Sequence, residues 1–227
     1  MIKSLLCSKV IVSYACLTSL AGCTNLAETS VSYTTLPPDI EYPNGITTGP
    51  NGQLYVGSVT SGNVLQLAPD GDITTAFEET DEVFAGTSVR FDPMPNLLWM
   101  ASDEGFANDM AMDGQGGLYI TDSVRDRILY LSEPGAPFET VAADPLMTPG
   151  DLGPAGIAVA PSGDLIIGLY SDGTLLRVTQ GENGAPAQVT EVNLSRPLEN
   201  PDGLAFAPDG RLLVLEGAAE SGNGKLL

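Results

Sequence analysis

Short runs that alternate large apolar with small or polar residues, each closed by a glycine-bearing turn, recur along most of the chain. Five of them superimpose without a gap: Asn44–Val56, Thr87–Trp99, Asn108–Ile120, Ala155–Ile167 and Asp202–Val214. Each reads as a strand, a turn and a returning strand. Ile157-Ala158-Val159 shows the alternation of the first strand, Pro161-Ser162-Gly163 the turn, and Leu54-Tyr55-Val56 the β-rich return. A further strand follows several hairpins, as in Gly62–Leu67, Arg127–Leu131 and Gly173–Val178. No stretch carries a convincing helical period. Three or four short antiparallel strands recurring at about 45-residue intervals predict the blades of an all-β propeller.

The spacing adds a second expectation. The repeats begin at positions 44, 87, 108, 155 and 202, intervals of 43, 21, 47 and 47 residues. The short interval has room for one hairpin only, because Trp99 runs on into Gly105 and Phe106 where two outer strands would be needed. The last repeat ends inside its third strand. The sequence therefore predicts an incomplete β-propeller, apparently truncated, with about four to five blades represented and with unpaired strand edges.

Ahead of the repeats, Lys3 and Lys9 flank a short N-terminal region, and 10–21 is an uncharged, mostly apolar run. This is the layout of a secretory signal, and it is too short to span a bilayer. Leu20-Ala21-Gly22-Cys23 resembles a bacterial lipobox, in which the cysteine becomes acylated. The domain reading is thus 1–22 lipoprotein signal peptide, 23–40 tether or linker and 41–227 propeller, with 24–42 read as a tether plus a candidate outer strand. It places the body at the bacterial cell envelope, on the periplasmic face. Membrane contact is then only through a lipid anchor on Cys23. Asn25, in the second mature position, favours the outer membrane. Cys7 and Cys16 would be removed, which leaves no thiol pair for a disulfide.

Composition narrows the chemistry. The 227 residues include no His, which excludes Ser-His-Asp triads, Cys-His pairs and histidine zinc sites. Nine basic against 29 acidic residues give a net charge of −20. That charge argues against nucleic acid as a partner and favours cations. Any catalysis has to run on oxygen ligands. Gly114–Gly117 is no nucleotide loop, since no helix follows it. Trp99 reads as core, Asp122 as the start of a blade loop, and Glu216 as the end of a return strand.

Residues just before each innermost strand of a propeller open onto one mouth of the central channel. Here they are Asn44, Thr87, Asn108 with Asp109 beside it, Ala155 and Asp202. Amide and carboxylate oxygens without His or Cys suit a hard ion such as Ca²⁺. Asn44, Asn108 and Asp202 are the candidate metal ligands. Asp202 and Asp109 are the candidate catalytic groups, able to orient or deprotonate an attacking water. Asn and Asp before Gly also serve as plain turn formers at Asn44 and Asp202. Asp109 instead occupies a place that Gly takes in three other repeats.

The phrases Pro43–Ile46, Ser88–Asp92, Phe106–Met110, Leu118–Ser123, Gly156–Val159, Pro201–Leu204 and Leu215–Gly217, in that order, resemble the SMP-30/gluconolactonase/LRE-like family over about 41–217. The resemblance implies a six-bladed propeller with a divalent metal, usually Ca²⁺, in its channel, and lactone hydrolysis as the activity. Two positions depart from the family pattern: Asn44 stands where active members commonly carry Glu, and Ala155 where they carry Asn. The expectation is accordingly an envelope-anchored propeller that acts as a Ca²⁺-dependent hydrolase on a lactone or sugar-like small molecule. The alternative is a non-catalytic propeller lipoprotein that binds a small ligand or partner protein, or a degraded member of the family.

Overall fold

A computed structural model describes residues 9–13, 31–38, 40, 42–80, 85–93, 96–101, 106–148, 150–181, 185–217, 222 and 224–227. Nearly all of them are strand or turn, with two single-turn 3₁₀ segments at Pro50–Gly52 and Pro145–Met147. An N-terminal pair, β1 (Lys9–Ser13) and β2 (Val31–Thr35), runs antiparallel. The lipobox, including Cys23, lies outside the described residues.

Five antiparallel sheets follow. The first holds β3 (Pro43–Thr48), β4 (Leu54–Ser58), β5 (Val64–Leu67) and β6 (Ile73–Phe77) in chain order. The second is only β7 (Ser88–Asp92) with β8 (Leu97–Ala101). The third is β9 (Ala107–Met112), β10 (Leu118–Asp122), β11 (Arg127–Leu131) and β12 (Glu139–Ala143). The fourth is β13 (Pro154–Val159), β14 (Leu165–Leu169), β15 (Leu175–Thr179) and β16 (Gln188–Glu191). The fifth has β17 (Pro201–Phe206), β18 (Leu212–Glu216) and the short β19 (Lys225–Leu226).

This is a β-propeller arrangement, and the repeat spacing is visible in it. The 21-residue interval holds the two-stranded sheet, and the last repeat carries a two-residue third strand. The recurrent turns are built alike. In four of the five, the residue after the first strand donates to the carbonyl four positions on, as Ala160 does to Asp164 at 2.8 Å and Ala207 to Arg211 at 2.8 Å; after β7 that residue is Pro93, which has no N–H. The turn glycines Gly163 and Gly210 hold φ of +89° and +85°, a left-handed region that L side chains rarely enter.

Meandering sheets leave their first strands side by side. β3 packs on β7, β7 on β9, β9 on β13 and β13 on β17, so the five first strands face a common interior and β3 and β17 end the series. The core lies between sheets, where successive blades interlock. Ile128, Met147, Ile157, Leu165, Ile167 and Leu176 join the third sheet to the fourth, and Ala158, Ile166, Leu175, Leu204 and Val214 join the fourth to the fifth. Fully burying such a side chain stabilises by about 1.5–3 kcal/mol. Trp99 packs with Met110, Leu118 and Ile120, the core position expected of it. Leu36 and Ile40, in the stretch read as tether, are buried with Val56, Leu65 and Leu67. The packed body therefore takes in chain ahead of residue 41. Asp122 is the last residue of β10 rather than the start of a loop. Its buried carboxylate accepts from Arg127 Nε at 3.0 Å, the residue opposite it in the ladder.

Candidate functional site

The first strands enclose a cavity of about 810 Å³, and its wall includes Asn44, Thr87, Asn108, Asp109 and Asp202. The structure thus gathers every oxygen-bearing residue of the proposed ring. Only Ala155, which has no donor to offer, is missing from that wall. A local feature of the ladders explains the convergence. The pairing register slips between Asn44 and Ile46 in β3, between Pro154 and Ile157 in β13, and between Pro201 and Gly203 in β17. Opposite β9 it slips between Ile120 and Asp122. A bulge re-aims a side chain and bends its strand. Four of the five first strands are bulged at the positions that supply the wall. β7, which carries Thr87 and Ser88, pairs with β8 in unbroken register.

Close approach of neighbouring strands at the bulges demands small residues. A Cβ on Gly45 would lie 2.7 Å from Ser88 Cα, and one on Gly57 would lie 2.8 Å from the Gly86 carbonyl oxygen. At the position equivalent to Gly57, the third sheet has Thr121, fully buried, which bridges instead of yielding space. Its hydroxyl accepts from the Asp109 N–H at 2.9 Å and donates to the Ala155 carbonyl at 2.6 Å. The Thr87 hydroxyl likewise donates to the Ala107 carbonyl of β9.

The two candidate carboxylates live in opposite environments. Asp109 is saturated. Its Oδ1 accepts from Ser88 Oγ at 3.0 Å, the Met110 N–H at 2.8 Å and Arg90 Nη2 at 2.5 Å, while Oδ2 accepts from the Ile157 N–H at 3.2 Å. It knits β7, β9 and β13 together, which is a positioning role. Asp202 has no hydrogen-bond partner among the described residues. Burial, and secondarily the negative charge of Asp109, pushes its carboxyl up to about 6. Tyr170 is raised as well, first by its own burial and then by the charge of Asp202. The Asn108 amide, buried beside Asp109, has no partner among the described residues either. Asn44 Oδ1 accepts from the Gly45 N–H at 3.0 Å, a turn-like bond that leaves its second lone pair.

The donor set fits a hard cation. Among the described residues, no three His, Cys, Asp or Glu side chains converge, so the amides are essential to such a site. A half-buried carboxylate without a partner among the described residues, on the same cavity wall as an amide that has none, is what a cation would satisfy. Asp202, Asn108 and Asn44 are the residues able to hold it.

Sequence reasoning passed over Arg90. In the fourth position of each repeat the other strands carry Thr47, Ala111, Ala158 and Ala205, small residues where strands crowd the axis. Arg90 lines the cavity at that level, and among the described residues it is the sole basic one that does. A long cation in a column of Thr and Ala was the signal available.

No family model matches the chain, and no curated protein matches it. Solved structures do. A streptogramin B lyase superimposes with a TM-score of 0.62 at 16% identity, over 82% of this chain and 66% of the lyase. A catalytically inactive virginiamycin B lyase from Staphylococcus aureus, solved with quinupristin, gives 0.67 at 13% identity over 89% and 74%. A gluconolactonase from Xanthomonas campestris gives 0.60 at 15% identity over 78% and 70%. The chain spans roughly two thirds to three quarters of the length of these enzymes. At such identities the likeness is one of fold: the chain has the gluconolactonase-like β-propeller fold.

Proposed function

We propose that the cavity binds a lactone or sugar-like ring and that Asp202 takes the proton from the water that opens it. The observation that carries this reading is the isolation of Asp202, a half-buried carboxylate with no hydrogen bond from the described residues, facing a cavity of small-molecule size. A base poised near neutrality is matched to its task, since it is ionised at pH 7 yet still able to accept a proton. In the reaction, the water oxygen bonds to the lactone carbonyl carbon and its proton passes to Asp202. The ring C–O bond breaks, the leaving oxygen is protonated, and a hydroxy acid results. Asn108 orients the ring oxygens through its free amide. Asp109, held by four donors, keeps β7, β9 and β13 in place around the site and does no proton transfer. Asn44, Asn108 and Asp202 would hold a divalent cation, Ca²⁺ foremost, which supplies polarisation of the carbonyl when bound.

A second reading is binding without turnover, favoured by Ala155, which adds no donor to the wall, and by Asp109, whose oxygens are already engaged. Two measurements separate the readings. Millimolar Ca²⁺ or Mn²⁺ should raise the melting temperature, because a ligand bound only by the native state stabilises it. Hydrolysis of an aldonolactone should follow, and Asp202→Asn should abolish most of it. A shift without hydrolysis leaves binding alone, and the absence of a shift removes the cation.

We also propose that Cys23 carries the lipid that anchors this body at the envelope, on the strength of Lys3, Lys9, the apolar run and Leu20–Cys23. Among the described residues, no helix is long and apolar enough to cross a membrane. Detergent-phase partition of the wild-type chain, lost in Cys23→Ser, is the expected result.

A further inference from the structure

We infer that Arg90 makes the cavity selective for ligands that carry a free carboxylate, so that its occupants are uronic or aldaric acids, or lactones that keep a second, free carboxylate, in preference to neutral sugars. The inference rests on the reading of the cavity as a sugar-like site and adds the charge of what enters it.

Arg90 is prepared for this role. Its Nη1 donates to the Val89 carbonyl at 3.0 Å and its Nη2 to Asp109 Oδ1 at 2.5 Å. Asp109 is itself immobilised by Ser88, Met110 and Ile157. The guanidinium is therefore fixed in direction before any ligand arrives. Of its five N–H groups, two are engaged with the described residues and three remain, on a side chain that is 24% solvent-exposed and lines the cavity. Those three suit a planar, two-oxygen acceptor.

Charge points the same way. The chain carries −20 overall, and the cavity wall has two carboxylates among the described residues, yet one guanidinium lines it as well. A molecule that offers a carboxylate to Arg90 and ring oxygens to the rest of the wall matches this lining. A singly charged carboxylate fits better than a phosphate, because a second negative charge beside Asp109 is repelled at close range.

The test uses the full chain at pH 7.5 and three probes: D-galacturonate, D-galactose and galactose 1-phosphate, with affinity read by calorimetry. Galacturonate should bind at least tenfold more tightly than galactose, and the phosphate should fall between them or below. Arg90→Gln should reduce the acid-over-neutral ratio to under twofold, and Arg90→Lys should keep only part of it, because the fork is lost. Circular dichroism melting accompanies each variant. If Arg90→Gln melts early, the paired change Arg90→Gln with Asp109→Asn removes both charges together, and the ratio is read on it instead. Equal binding of acid and neutral sugar, or a ratio that survives the loss of Arg90, overturns the inference and leaves the sugar-like reading intact. A phosphate that outcompetes the carboxylate also overturns it. Failure of all three probes to bind removes the sugar-like reading, and this inference with it.

Discussion

The Asp202 main-chain carbonyl passes so close to Gly156 that a Cβ at 156 would fall well inside contact distance of its oxygen and 3.1 Å from Leu204 Cγ. β13 and β17 meet there, and the glycine sets where Asp202 stands. Gly156→Ala should therefore cost about 2–3 kcal/mol by overpacking. It should also weaken the Ca²⁺-induced thermal shift, because the strand bearing Asp202 must move. Gly163→Ala is the control. Its φ of +89° is strained for alanine, at about 1–2 kcal/mol, but nothing lies within 4 Å of the added methyl and the cavity is distant. Urea unfolding of both proteins, with and without Ca²⁺, decides. A Gly156→Ala protein that is as stable and as responsive as Gly163→Ala refutes the account.

Asp202 should make the protein less stable as the solution becomes less acidic. Its carboxyl sits at about 6 in the folded chain against 3.8 when unperturbed, so between those values the native state binds the extra proton. The stabilising contribution is complete below pH 4 and is lost as pH rises through 6. Asp202→Asn removes the ionisation and should be about 2 kcal/mol more stable than wild type at pH 7.5, discounted for partial exposure. The two should converge below pH 4. Added Ca²⁺ should reverse the order by raising only the wild type. Denaturant midpoints across pH 3.5–8 test both statements, and a difference that does not vary with pH contradicts the first.

Fold and site were legible to different degrees, for a physical reason in each case. Hairpin periodicity and Pro-x-Gly turns are local, so the strands at Ile157–Val159 and Leu165–Ile167 were readable directly, and the 21-residue interval announced the two-stranded sheet. The gathering of Asn44, Asn108, Asp109 and Asp202 followed from repeat position alone. What separated Asp109 from Asp202 did not. Whether a carboxylate is saturated or bare depends on Ser88 and Ile157, which reach it from other sheets. Sequence spacing carries no trace of that. The bulges were equally hidden, because a register slip is a property of a strand pair. Leu36 and Ile40 fall in a stretch that reads as a tether plus a candidate outer strand, because a docked segment and a linker differ only in what covers them.

Thr121 should prove more important than its size suggests. It is buried completely, and one hydroxyl serves both the Asp109 N–H and the Ala155 carbonyl. Thr121→Val keeps the shape and strands both groups, a loss of about 2–4 kcal/mol for two buried unsatisfied partners. Thr121→Ser keeps the hydroxyl and should cost only about 1 kcal/mol for the missing methyl. Equal effects in chemical denaturation would mean that packing, and not the bridge, holds β9 to β13.

Glu216 ties down the last strand. Its buried carboxylate receives Arg196 at 2.7 and 3.1 Å, the Glu199 N–H at 2.7 Å and Lys225 Nζ at 3.1 Å. Arg196 foremost holds its carboxyl down at about 2, against 4.5 when unperturbed. The sign is opposite to that of Asp202. The contribution is present above about pH 4.5 and is lost only as pH falls through 2. Lys225 belongs to β19, and the adjoining Leu227 exchanges hydrogen bonds with Val214 at 2.9 and 3.2 Å. Glu216→Gln removes the charge that draws Lys225 and Arg196 together, so amide exchange at Val214 and Leu227 should accelerate by tenfold or more at pH 7. Exchange at Ile167 and Leu176, in the core between the third and fourth sheets, should not follow. Uniform acceleration would assign Glu216 to global stability, and no acceleration would mean that β19 is held by its backbone bonds alone.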